Sequence, residues 1–110
     1  MANAYKVLGQ SAPSATTNTD LYTVPSATEA VVSTIFVCNR GSTAALYRIA
    51  VRPDGAAIAN QHYIAYDAVI LGNDSVAITV GTTIDATDVI TVYASTANLS
   101  FNAFGSEITA

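Results

Sequence analysis

The residues most able to do chemistry in this chain are its one cysteine and its one histidine, Cys38 and His62. A reactive thiol needs a neighbouring histidine or a helix N-terminus that lowers its pKa, whereas Cys38 ends the apolar stretch IFVC. One cysteine and one histidine also fall short of the ligand set of a protein zinc site. We therefore expect Cys38 to be a small buried thiol. We expect His62 to lie hydrogen-bonded at a strand edge, with an interface contact or a pH-sensing role as the alternative.

Three carboxylates in turn sequences are the next candidates, because loop carboxylates can bind calcium. Asp74 lies in GND, and Asp85 and Asp88 lie in IDATD. Neither segment has the dense alternation of oxygen ligands found in calcium loops, and aspartate in turns mostly accepts hydrogen bonds from its own backbone. The chain has no glycine-flanked serine of a nucleophile elbow and no glycine-rich phosphate loop. The sequence thus predicts no catalytic residue, no metal or cofactor site, and no enzyme activity.

Two arginines on one predicted strand suggest binding more than catalysis. In ALYRIAVR, alternation places Arg48 and Arg52 on the outer face and Tyr47 in the core. The arginines are either solvated charges that protect the sheet or contacts for a partner subunit. We further expect Tyr66 to point inward and Tyr63 outward, where tyrosine often anchors interfaces.

The composition limits the partners. The chain has 110 residues, of which 51% are hydrophobic and 11% are charged, and its net charge is -4. Nucleic-acid binding needs clustered Lys and Arg, so we expect no DNA or RNA partner. No stretch approaches the ~20 apolar residues of a membrane helix, and MANAYKVLGQ lacks a secretory signal pattern, so we expect no membrane partner and synthesis in the cytoplasm. A surface with few charges is readily covered by another protein, because few charges lose their water.

The elements that position these residues are strands. Apolar residues do not recur at helical spacing, and the chain is rich in Val, Ile, Thr and Tyr. About eight strands follow from the pattern: AYKVLGQ, DLYTVPS, EAVVSTIFVCN, ALYRIAVR, QHYIAYDAVIL, SVAITV, VITVYAS and LSFNAFGSEI. Such spacing without helices predicts an all-β fold, an antiparallel β-sandwich of jelly-roll type. We expect a single domain, with residues 1–19 as an N-terminal strand or arm and polar connection, and residues 20–110 as the sandwich.

Two local features complete the expected architecture. NRGST, at residues 39–43, is typical of a hairpin loop joining the third and fourth strands, with Gly41 able to take a positive φ. In the third strand, apolar residues fall on both faces, with Val32 and Phe36 opposite Ile35, as in a strand covered on both sides.

The chain resembles a family of small structural proteins of tailed bacteriophages, often from cyanobacterial and other aquatic phages. The resemblance spans about residues 5–108 and lies in LYTVPSATEAVVSTIFVCNRGSTAALYRIAV, HYIAYDAVILGNDSVAITVG and DVITVYASTANLSFNAFGSEI. Its marks are VP at the end of an early strand, the CNRG turn, HY opening a later strand, and the finish VYAS, LSF and FG. None of these is a catalytic motif, so no functional residue is carried over from the family.

The resemblance implies a non-enzymatic virion protein that decorates or cements the capsid. As such it would be a homotrimer bound to the major capsid protein. The alternative is a tail, neck or fibre module that binds another virion protein or a host-surface glycan. For the capsid role we expect an N-terminal contact to a neighbour and a strand-face contact to coat protein, made by Tyr5, Val7, Leu8, Arg48, Arg52 and Tyr63.

Overall fold

The alternating apolar segments of the chain form β-strands in the computed structural model, which describes residues 2–109. The strands are β1 (Ala2–Ser11), β2 (Thr19–Thr23), β3 (Thr28–Asn39), β4 (Ala45–Arg52), β5 (Tyr63–Ile70), β6 (Ser75–Ile84), β7 (Val89–Ala94) and β8 (Leu99–Thr109). Two single 3₁₀ turns, Pro53–Gly55 and Asn60–His62, lie between β4 and β5. Within residues 2–109 no helix is long and apolar enough to cross a membrane. The predicted all-β class with eight strands is confirmed.

The strands form two four-stranded antiparallel sheets. Sheet A has the order β1-β8-β3-β6, and sheet B has the order β2-β7-β4-β5. Consecutive strands lie in different sheets except for β4 and β5, so the chain crosses back and forth between the two layers. This order is that of a jelly roll, in which two Greek keys fold over one core. The predicted jelly-roll sandwich is therefore confirmed.

The core lies between the two sheets. Its fully buried side chains come from both layers and are mostly branched aliphatic, as burial of apolar area requires: Phe101, Ile35, Ile49, Ile70, Ile90, Leu99, Val24, Val32, Val37 and Val92. Tyr47 packs on Phe101 with its ring centroid 6.5 Å away, so its predicted inward position is confirmed. Tyr66, in contrast, is 57% exposed, and its predicted inward position is wrong.

NRGST is not a hairpin loop, because β3 and β4 belong to different sheets. The buried Asn39 shapes this crossover: its Nδ2 donates to the Thr43 carbonyl oxygen at 2.8 Å, and its Oδ1 accepts from the Gly41 N–H at 2.9 Å. The positive φ expected at Gly41 occurs instead at Gly55 and Gly81. A polar turn rich in small residues fits a crossover as well as a hairpin, which explains the wrong prediction.

The N-terminal segment is a full member of sheet A. β1 pairs with β8 from Ala2, opposite Thr109, to Ser11, opposite Phe101. A bulge between Val7 and Gly9 adds Leu8 to the strand, and Leu8 lies in the core with 9% of its surface exposed. Leu8, expected to reach a neighbour, therefore packs inside its own chain.

The strands at the sheet edges are irregular. Register shifts interrupt the pairing of β1 with β8, of β2 with β7, of β5 with β4 and of β6 with β3. Bulges bend a strand and leave residues out of the hydrogen-bonding ladder, which discourages edge-to-edge pairing with another chain. The flat surfaces open to partners are thus the outer faces of the two sheets.

A small polar network ties sheet A to sheet B. The carboxylate of Glu107 on β8 accepts a hydrogen bond from Lys6 Nζ at 2.8 Å and one from the Tyr22 hydroxyl at 2.5 Å. The hydrogen bond from Lys6, followed by that from Tyr22, lowers the pKa of Glu107. Burial, followed by the hydrogen bond to Glu107, raises the pKa of Tyr22.

The Glu107 network predicts a loss of stability in acid. Because the pKa of Glu107 is lower in the folded protein, its carboxylate stabilises the fold above the unfolded value of about 4.3. That contribution falls as the pH drops through the lower folded pKa. We expect the difference in free energy of unfolding between the wild type and Glu107→Gln to be larger at pH 7 than at pH 2.5, measured by urea denaturation. A difference that is the same at both pH values would contradict this account.

Gly9 on β1 touches β2 of the other sheet, and a Cβ atom there would lie 2.1 Å from the Leu21 carbonyl oxygen. We expect Gly9→Ala to lower the free energy of unfolding by about 1–3 kcal/mol, because two sheets must separate to admit the methyl group. Gln10→Ala, at an exposed neighbouring position, serves as the control and should change stability by less than about 0.5 kcal/mol. Equal urea midpoints for the two variants would show that the sheets do not meet at Gly9.

Candidate interaction surfaces

The candidate chemical residues are engaged in local structure. His62 is buried at the end of the 3₁₀ turn before β5, where its Nδ1 accepts a hydrogen bond from the Ala59 N–H at 3.0 Å. Cys38 is half-buried near the end of β3. Asp88 accepts from the backbone N–H groups of Asp54 and Asp85, each at 2.8 Å, as expected of aspartate in turns. In the described part of the chain, no three His, Cys, Asp or Glu residues are grouped so as to hold a metal ion.

The exposed large hydrophobic side chains lie mainly on the two sheets. Those on β1 and β3 of sheet A are Tyr5, Val7 and Phe36. Those on β4 and β5 of sheet B are Leu46, Ile64, Tyr66 and Val69. Exposed apolar groups that gather on flat faces, rather than lying singly over the surface, are typical of protein contact sites. The sandwich therefore has two candidate surfaces on opposite sides.

Face A is the outer surface of β1, β8 and β3, and it centres on aromatic residues. Register places Tyr5 opposite Ser106 and Val7 opposite Phe104, and the rings of Phe36 and Phe104 meet edge to face at 5.6 Å. A groove of about 700 Å³ runs beside these rings, with Tyr5, Val7, Val31, Ser33, Phe104 and Ser106 among its lining residues. Face A thus has an apolar, aromatic centre with one groove, and polar residues such as Ser33 and Ser106 lie beside it.

Charges are sparse on the strands of sheet A. The four strands carry Lys6, Glu29 and Glu107, and β6 carries none. Lys6 and Glu107 neutralise each other in an ion pair of 2.8 Å. Glu29, near the start of β3 and two residues from Val31, is the one carboxylate of these strands outside that ion pair. Covering face A would therefore cost little desolvation of charge.

Face B is the outer surface of β4, β5 and β7, and it centres on Arg48. The Arg48 guanidinium lies 4.3 Å from the Tyr66 ring centroid and 4.2 Å from that of Tyr93, so it is held between two aromatic rings. Its Nε donates to Asp67 Oδ1 at 2.7 Å, and this bond contributes most to the raised pKa of Arg48. The Tyr63 ring packs edge to face on Tyr66 at 4.8 Å. These contacts make a rigid Tyr-Arg-Tyr stack, the composition that dominates binding energy in protein interfaces.

Arg52 has a structural role within the chain. Its Nε donates to Thr91 at 2.9 Å and its Nη2 to Asp20 at 3.0 Å. Its Nη1 donates to the carbonyl oxygens of Gly55 and Ala56 at 3.2 and 2.9 Å. The side chain is only 18% exposed, because it fastens the start of the β4–β5 connection to sheet B. Its donors are occupied before any partner arrives.

The six predicted contact residues are spread over the molecule. Tyr5 and Val7 lie on face A, Arg48 and Tyr63 contact Tyr66 on face B, Leu8 lies in the core, and Arg52 is bonded within the chain. The structure does not bring the N-terminal and strand-face groups together, because they belong to opposite sheets. Four aromatic residues of these faces were missed by the sequence analysis: Phe36, Phe104, Tyr66 and Tyr93. Strict alternation along β8, which buries Phe101 and turns Phe104 outward, was the signal for one of them.

Neither a family model nor a curated protein matches the chain. The structural argument for a function therefore rests on the two faces.

Arg52 makes four hydrogen bonds within the chain, so we expect a specific effect of Arg52→Lys. Lysine keeps the positive charge but has no planar fork, so it cannot hold Thr91, Asp20 and two carbonyl groups together. We expect faster amide hydrogen exchange over residues 53–62 and a loss of about 1–3 kcal/mol in stability. Arg40→Lys is the matched control, since Arg40 follows β3 and bonds Ser100 of sheet A, not a residue of the β4–β5 connection. Unchanged exchange over residues 53–62 in Arg52→Lys would remove this role from Arg52.

Proposed function

We propose that the chain is a non-enzymatic structural protein of a tailed-phage virion that decorates the capsid by binding assembled coat protein. The observation that carries the proposal is the pair of exposed aromatic faces on a sandwich with irregular edges and few charges. The sequence resemblance to small phage structural proteins gives the class of particle. Location in the virion and the major capsid protein as partner are parts of the same proposal.

Face B supports a protein partner through its rigidity. An arginine clamped by Asp67, Tyr66 and Tyr93 loses little side-chain freedom when a second surface covers it. Exposed aliphatic neighbours surround this stack, with Val69 at 63% and Leu46 at 36% exposure. Rigid tyrosine and arginine anchors within an apolar rim form the arrangement in which interface energy concentrates. We assign the coat-protein contact to face B.

The mechanism of decoration is mass action. A protein that binds the assembled lattice but not dissociated coat subunits stabilises the assembled state by RT ln(1 + [L]/Kd) at each site. No chemistry is needed, because binding alone shifts the assembly equilibrium. The sandwich acts as a rigid plate held against the shell.

The test is to add the purified protein to heads that lack it and to locate it by cryo-electron microscopy. We expect density spread over the capsid lattice, with face B against coat protein. Val69→Asp places a charge in the apolar rim of that contact and should weaken head binding at least about tenfold in co-sedimentation. Ser14→Asp, an equal charge change at an exposed loop position, should bind as the wild type does.

Three results would overturn the proposal. Density confined to the tail would replace it with the tail, neck or fibre module, which occurs in far fewer copies per particle. Absence of binding to any part of the particle would remove the virion role altogether. Equal head binding by Val69→Asp and the wild type would remove face B from the contact.

A further inference from the structure

The two outer faces differ in how much of them the chain itself protects. On sheet B, the β4–β5 connection lies over one end of the outer face: Ile58 lines a pocket with Arg52 and Thr91, and Thr91 is buried. On sheet A, nothing in residues 2–109 covers the aromatic centre, and Tyr5 is 84% exposed. The aromatic centre of face A is therefore bare in the part of the chain that the structure describes.

We propose that face A pairs with face A of a second copy of this chain about a two-fold axis. Charge supports this occupant. Two copies with a net charge of -4 each repel one another, so they can meet closely only where carboxylates are few or already paired. On the strands of sheet A, Lys6 and Glu107 neutralise each other and Glu29 is the one further carboxylate, whereas Asp54, Asp74 and Asp85 lie outside these strands. A strongly charged partner would gain no ion pairs at this centre.

The shape of face A also suits its own copy. An isologous two-fold contact requires one patch to carry both a projection and the cavity that receives it. Tyr5 projects from β1, and the groove of about 700 Å³ lies directly beside it, lined by Val7, Val31 and Phe104 among others. A two-fold axis through this face places each Tyr5 ring in the groove of the other copy. Aromatic side chains in such grooves bury about 150–250 Å² each.

The area of the face fits a dimer. The three strands of face A are 10, 11 and 12 residues long. With strands about 4.8 Å apart and about 3.3 Å per residue, the face measures roughly 14 by 36 Å, or about 500 Å² for each copy. A pair would bury about 1,000 Å² in total, the lower limit expected of a specific interface. This two-fold pair takes the place of the trimer that the sequence resemblance implies.

Sedimentation equilibrium of the purified protein tests the pairing, and it needs no capsid or other partner. We expect the wild type, with a chain mass of 11.3 kDa, to form a dimer at about 50 µM. Tyr5→Asp brings two new carboxylates to the interface and should weaken dimerisation at least about tenfold. Because the Tyr5 side chain is so exposed, this variant keeps its core, which an unchanged circular dichroism spectrum and melting temperature would verify. Phe36→Ser, farther along face A, should weaken the dimer in the same direction.

Val69→Asp is the matched control, since it makes the same charge change at an exposed position on face B. We expect it to dimerise like the wild type while losing head binding, whereas Tyr5→Asp should lose dimerisation. Failure of the virion proposal therefore leaves the dimer measurable. A wild type that is monomeric at about 100 µM, a trimer, or a dimer unaffected by Tyr5→Asp would each overturn the pairing.

Discussion

The structure depends on the packing of one four-stranded sheet against another across a single apolar layer. Every strand gives one side of its alternating residues to that layer, and the opposite side must then face outward. A sandwich of this size has no third layer to cover either sheet. The outer faces are therefore a necessary product of the core, and only their composition is free to vary. In this chain they carry aromatic and aliphatic groups where most monomeric proteins place charges.

The few charges of the chain serve mainly to hold it together. Arg48, Arg52 and Lys6 each form an ion pair within the chain, and Arg52 also fastens a connection over sheet B. Pairing within the chain leaves the outer faces close to neutral. Since exposed ion pairs add little stability in general, the value of these lies more in the geometry they fix than in their energy. The Tyr-Arg-Tyr stack shows this, because Asp67 sets the position of the guanidinium between its rings.

The class of the fold was predictable because the strands alternate cleanly. β8 follows this alternation closely, because Leu99, Phe101 and Ala103 are all buried. Alternation fails where a bulge occurs, as around Asp67, whose φ of 52° accompanies a break in the β4–β5 register. That break turns Tyr66 outward, against the prediction. Bulges depend on how two strands are paired, which no single strand's pattern contains.

The features that were not predicted from the sequence depend on which strands pair with each other. NRGST was expected to close a hairpin because hairpin loops and sheet crossovers use the same small polar residues. The candidate surfaces have the same limit. Tyr5 and Val7 were expected to contact a neighbour, but their position beside Phe104 depends on the pairing of β1 with β8. The sequence shows the type of each side chain. It does not show which residues of other strands lie beside that side chain.

The pairing of β1 with β8 has a consequence for how the chain folds during synthesis. β1 finds its hydrogen-bonding partner only in β8, so this ladder closes after β2 to β7 have been translated. Contacts between such distant parts of a sequence slow folding, because a long loop must be ordered before they form. Until then, the apolar side chains of β1 stay without their partners, and unpaired strands of this kind are prone to aggregate.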